Sequence, residues 1–136
     1  MSSEHPAIAA AHRSWSAVHR RAREEWLDLM ADDITIEDPI GVAPTNPSGK
    51  GFRGKAEAEK FWDTIIARTE SIRIEAHESF AAGMESAHAL TLTTTFPGGT
   101  TTTVRGIFTY TLNDEGKLRA LRGYWSLDEM KVDPSA

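Results

Sequence analysis

The chain has 136 residues, 40% of them hydrophobic, no Cys, and a formal net charge of −5 with both signs scattered along it. That length suits one domain, 1–136, with a sizeable core, and the lack of thiols excludes a disulfide framework and Cys-based metal or nucleophile chemistry. The dispersed acidic charge argues against nucleic acid or a basic membrane surface as partner. With no apolar run near the ~20 residues of a membrane span and no secretion signal in Met1–Pro6, a cytoplasmic protein is expected.

Taken in order, residues 7–20 read as a helix, with Ile8, Ala11, Trp15 and Val18 at helical spacing and Pro6 at the entry. A second helix over 22–31 carries Trp26, Leu27 and Met30, and Ala31-Asp32-Asp33 ends it. A short strand follows over 34–38. There Ile34 and Ile36 share a face with Asp38, because side chains two apart lie on the same side of a strand. If the strand continues, Asp38 is a carboxylate aimed into an apolar interior, with its pKa pushed up toward that of a general base or acid working near neutral pH. If the strand stops at Glu37, Asp38 only turns the chain before Pro39.

Residues 39–54 form a Pro- and Gly-rich loop, either a binding loop or lid beside Asp38 or a plain surface connection. Helix returns over 55–69, with Ala58, Phe61, Trp62, Ile65 and Ile66 inward. Alternation then marks strands through Ile72, Ile74, Ala76 and Glu78; through His88, Leu90, Leu92, Thr94 and Phe96; through Val104, Gly106, Phe108, Tyr110 and Leu112; and through Leu121, Gly123, Trp125 and Leu127. Pro97-Gly98-Gly99 and Asn113-Asp114-Glu115-Gly116 are the turns between them. Residues 133–136 read as a loose tail.

The order gives an α+β fold, with three N-terminal helices gathered on one face of a curved antiparallel sheet and enclosing an apolar pocket. Phe61, Met30, Phe80 and Trp125 read as pocket wall or core, and Tyr124 as outward. The outer, Thr-bearing sheet face (Thr91, Thr93, Thr95, Thr103, Thr109, Thr111) offers a surface for pairing two protomers. The five His are dispersed without ligand spacing, and Lys50, Arg53 and Lys55 lack the spacing of a phosphate loop. No cofactor or metal is expected.

The stretch Ala31-Asp32-Asp33-Ile34-Thr35-Ile36-Glu37-Asp38-Pro39-Ile40-Gly41 closely resembles the segment of bacterial ketosteroid isomerases that carries the catalytic base. The element order around it resembles the wider superfamily of nuclear transport factor two-like and SnoaL-like proteins, a cone-shaped α+β barrel. The resemblance covers nearly the whole chain. It implies a homodimer and a cofactor-independent steroid isomerase-like enzyme whose base is Asp38 and whose ligand is a steroid-like or polycyclic ketone. In that family a Tyr on the first helix and a protonated Asp on the sheet stabilise the dienolate oxygen; this system is also the standard example of a carboxylic acid kept neutral by an apolar site.

Here the pattern departs. The Tyr position falls at Ser14, or at Trp15 with a one-residue shift. The sheet Asp falls at Phe108, and a supporting Tyr at Trp62. The loop over 39–54 is longer than the family's. Trp15, Tyr110 or His88 is therefore expected to supply the substitute oxyanion donor, Trp15 and Tyr110 foremost as catalytic residues, with Ser14, Met30, Phe61, Trp62, His88, Phe108 and Trp125 around the substrate. The alternatives are a SnoaL-like cyclase or dehydratase, an epoxide hydrolase, and a hydrophobic-ligand-binding protein without chemistry.

Overall fold

The computed structural model describes residues 4–134. Helix α1 spans Pro6–His19, α2 Arg23–Asp28 and α3 Lys55–Phe61, the last running on as a π-helical turn, Trp62–Ile66. The strands are β1 Met30–Glu37, β2 Phe52–Arg53, β3 Ser71–Ala82, β4 Glu85–Thr95, β5 Thr101–Leu112, β6 Leu118–Tyr124 and β7 Lys131–Asp133. They form one curved sheet of order β2-β1-β6-β5-β4-β3, with β7 extending the edge of β5. The neighbours are antiparallel except β1 and β6, which run parallel. The concave face carries the helices, the arrangement of a cone.

Pro6 opens α1, where its missing N–H and fixed φ cost nothing, and the His5 ring accepts the Ala7 N–H at 3.0 Å. Ala7, Ala10, Ala11, Ser14, Trp15, Ala17 and Val18 are buried. The four alanines and Ser14 in that set let the helix lie close on the sheet. Trp26, Phe61 and Trp62 bring α2 and α3 together, with the Trp26 ring 5.4 Å from Trp62 and 6.2 Å from Phe61.

Several boundaries differ from the sequence expectations. The second helix stops at Asp28 because Met30 pairs with Leu118 and Leu29 O accepts the Leu118 N–H at 2.8 Å. Sheet pairing thereby overrides the helical spacing of Met30, and Asp32 and Asp33 are exposed strand residues rather than a helix end. Strand β3 holds a bulge between Ala76 and Glu78. A bulge moves every later side chain to the other face, so Phe80, expected as pocket wall or core, is 65% exposed. Ser79 turns inward in its place. The last meander strand ends at Tyr124 instead of reaching Leu127, and Asp133 pairs with Thr101 rather than lying in a loose tail. Residues 135 and 136 of that tail lie outside the described residues. On the Thr-bearing face, Thr111 is buried and donates to Glu85 at 3.2 Å, and the Thr91 hydroxyl meets the His77 ring at 2.7 Å. Among the described residues, no helix is long and apolar enough to cross a membrane.

Candidate functional site

A cavity of about 480 Å³ lies between the helices and the concave sheet face, within the range of small-molecule sites. Asp38 enters it from the end of β1. Ile34 and Ile36 are both 0% exposed; β1 ends at Glu37, yet Asp38, the next residue, does more than turn the chain, because its carboxylate sits on the cavity wall. Its Oδ1 accepts the indole N–H of Trp125 at 2.6 Å. Burial pushes the Asp38 pKa up to about 6, and the Trp125 hydrogen bond works in the opposite direction. The carboxylate therefore ionises near neutral pH, where a base is useful.

Two glycines make this contact possible. A Cβ on Gly123 would stand 2.9 Å from Asp38 Oδ1 and 2.8 Å from Phe108 Cε2. A Cβ on Gly106 would stand 2.4 Å from the Tyr124 carbonyl oxygen and 3.0 Å from Trp125 Cβ. Their bare backbones let the chain after β6 close over β5, which turns Trp125 toward Asp38.

The loop over 39–54 is tied down from within. Thr45 Oγ1 donates to the Asp38 carbonyl at 2.5 Å, and the buried Asn46 gives its Nδ2 to the Pro39 carbonyl at 2.9 Å while accepting the Gly51 N–H at 2.9 Å. The Ile40 N–H reaches the Gly123 carbonyl at 3.0 Å. These bonds fix the backbone that presents the carboxylate. Pro44 and Thr45 also line the cavity, so the loop forms part of its wall.

Also on the cavity wall, Tyr110 accepts the indole N–H of Trp15 at 2.7 Å. Trp15 thus gives its single donor to Tyr110 and stands behind it. Burial, and then the charge of Asp38, hold the Tyr110 pKa well above the usual phenol value. It remains protonated, and its own O–H has no acceptor among the described residues. A phenol that receives one hydrogen bond becomes a better donor of the next.

Behind this pair lies His88, 0% exposed, its ring centroid 4.9 Å from Trp15 and 5.5 Å from Tyr110. Nδ1 shares a hydrogen bond with the Ser79 hydroxyl and Nε2 one with the Ser86 hydroxyl, both at 2.7 Å. Burial, followed by the charge of His12, lowers its pKa to about 4. With both ring nitrogens engaged and no place on the cavity wall, His88 packs the donor pair from behind.

Of the other residues expected around a substrate, Ser14, Phe61, Phe108 and Trp125 line the cavity, whereas Met30 and Trp62 sit in the packed core. Sequence reasoning did not single out the donor role of Trp125, the glycine at 123, or Asn46. Only Gly123 carried a legible signal, a glycine at an inward strand position between Leu121 and Trp125. Among the described residues, no group of three or more His, Asp or Glu is placed to hold a metal ion.

The model of the SnoaL-like domain matches residues 11–121. The chain belongs to this SnoaL-like family. The chain is 48% identical to the delta 5-3-ketosteroid isomerase from Mycobacterium sp., covering 94% of this chain and 98% of that one with a TM-score of 0.90. It is similar, at 45% identity over 94% and 99% of the two chains and a TM-score of 0.90, to RV0760c from Mycobacterium tuberculosis, solved in complex with estradiol-17beta-hemisuccinate. A computationally designed 17-OHP binder is 43% identical over 96% and 100%, with a TM-score of 0.91. The epoxide hydrolase/cyclase-like SalBIII, at 21% identity and a TM-score of 0.80, shares the fold. No curated protein matches. The family membership and the ketosteroid isomerase likeness agree with the resemblance read from residues 31–41, and the cone with the expected fold.

Proposed function

We propose that this SnoaL-like protein is a cofactor-independent isomerase, its residues 1–136 acting as one unit, that moves a carbon–carbon double bond into conjugation with a ketone in a hydrophobic, steroid-like or polycyclic substrate. Asp38 takes a proton from the carbon beside the carbonyl. The electron pair passes to the carbonyl oxygen, giving a dienolate that the Tyr110 O–H stabilises, with Trp15 polarising and positioning Tyr110. Protonated Asp38 then returns the proton to the γ-carbon, so that atoms and charge balance without a co-reactant. The observation that carries this reading is the placement, on the wall of one apolar cavity, of a part-buried carboxylate, its pKa pushed up by desolvation, and a phenol whose proton is unengaged among the described residues. It is supported by the ketosteroid isomerase likeness and by the steroid in the RV0760c complex. A homodimer paired through the outer sheet face, where Ile107 and Tyr124 are exposed, belongs to the same proposal.

The test is the rise of conjugated-enone absorbance from a β,γ-unsaturated 3-ketosteroid with wild type and Asp38→Asn. Wild type is expected to turn over with a rate that climbs with pH and levels off above about 6. Asp38→Asn is expected to lose roughly a thousand-fold. Equal rates for the two would end the proposal. One feature favours a second reading, binding without turnover: Phe108 occupies the sheet position at which the resemblance implies a second acidic donor. Tight steroid binding, seen by Trp fluorescence, with no enone formed by either protein would select it.

A further inference from the structure

The cavity has two electrically different ends. Asp38 and Arg68 are the charged side chains on its wall among the described residues. Asp38 belongs to the inner end, since Gly123 beside it pairs with Phe108, two residues from Tyr110. Arg68 lies at the outer end. It follows the π-helical turn, and the next segment is tied to the end of β4 by the Glu70 N–H on the Thr95 carbonyl at 2.7 Å. Thr94 and Thr102 are direct cross-strand partners there, and both line the cavity.

Among the described residues these three side chains lack partners. Arg21 bonds Thr69 and the Ile66 carbonyl, Arg23 pairs with Asp63 and Glu59, and Arg122 pairs with Glu37. The Arg68 guanidinium makes no ion pair or hydrogen bond among the described residues, and neither do the hydroxyls of Thr94 and Thr102. The wall between the two ends is aliphatic: Ile72, Ile74, Leu90, Leu92 and Val104. From Tyr110 to Thr102 along β5 is roughly 26 Å at the rise of an extended strand, room for a ring system and a tail beyond it.

We propose that this outer end is an anion subsite, and that the preferred substrate is a hydrophobic ketone with a terminal carboxylate at the end remote from the ketone. Arg68 receives the carboxylate through its planar fork, and Thr94 and Thr102 donate to it. The negative charge of Asp38 disfavours the reversed pose, so the subsite also fixes which end of the ligand meets the base. This inference rests on the isomerase reading for its orientation and on the cavity alone for its chemistry.

The experiment compares one 3-ketosteroid bearing a side-chain carboxylate with its methyl ester, by quenching of Trp fluorescence, on wild type and Arg68→Gln at low and high salt. Wild type is expected to bind the acid about five- to ten-fold tighter than the ester, a ratio that shrinks as salt rises and falls to about one in Arg68→Gln. A ratio near one in wild type, or a preference that persists in Arg68→Gln, overturns the subsite and leaves the isomerase reading to the Asp38→Asn assay. Failure of wild type to bind either ligand overturns both. A ratio that falls in Arg68→Gln while Asp38→Asn turns over normally keeps the subsite and removes the isomerase.

Discussion

The Trp125 indole N–H meets Oδ1 of Asp38 at 2.6 Å, so the side chain that buries the carboxylate also restrains its pKa. Trp125→Phe keeps the ring against the cavity and removes the bond. The Asp38 pKa is then expected to rise beyond about 6, carrying the midpoint of the pH–rate profile upward by up to about one unit. An unmoved midpoint would show that the bond does not govern the ionisation.

In the proposed reaction Trp15 acts through Tyr110, to which it donates. Tyr110→Phe removes the donor that faces the cavity and is expected to lower turnover by about a hundred-fold or more. Trp15→Phe removes only the bond behind it and should cost about ten-fold. Because the two form one chain, the double variant should be no slower than Tyr110→Phe alone. A full ten-fold additional loss in the double variant would give Trp15 an independent role.

Asp38 and His88 tilt stability with pH in opposite senses. Asp38, raised from 3.8 to about 6, favours the folded state below 3.8, and that contribution is lost as pH rises through about 6. His88, lowered from 6.5 to about 4, contributes fully above 6.5 and is lost as pH falls through about 4. Between pH 4 and 6 the two nearly cancel. Denaturant unfolding across that window should show stability climbing with pH in Asp38→Asn and falling with pH in His88→Gln. Identical slopes in the two variants would refute the assignment.

A methyl group at position 123 would press on both Asp38 and Phe108. Gly123→Ala is expected to lower stability by about 1–3 kcal/mol, as overpacking does, and to displace the carboxylate enough to reduce turnover. Thermal unfolding and the enone assay read the two effects separately. A variant as stable and as active as wild type would mean that Phe108 and Asp38 give way freely.

The parts of the site that follow from alternation were legible in the chain. Ile34 and Ile36 are in the core, and Asp38 two residues further on lines the cavity, as do Phe108 and Tyr110. What alternation cannot carry is a break in its own period. The bulge between Ala76 and Glu78 sent Phe80 outward and Ser79 toward His88, and no residue type there announced it. The Trp125–Asp38 bond was equally hidden, because it joins positions 87 residues apart and depends on two glycines yielding space. Asn46 sits unmarked within the Pro- and Gly-rich loop sequence. Its role comes from being buried under the loop it holds.

The parallel pairing of β1 with β6 sets an order of assembly. During synthesis Asp38 leaves the ribosome 87 residues before Trp125, a delay of roughly 5 to 15 seconds at common elongation rates. Throughout that interval the first half of the chain holds an acid with no indole N–H to accept and a strand with one neighbour missing. A product clipped before Trp125 keeps the sequence of α1, α2 and α3 but lacks the indole that restrains the Asp38 carboxylate, so its acid is expected to titrate above about 6.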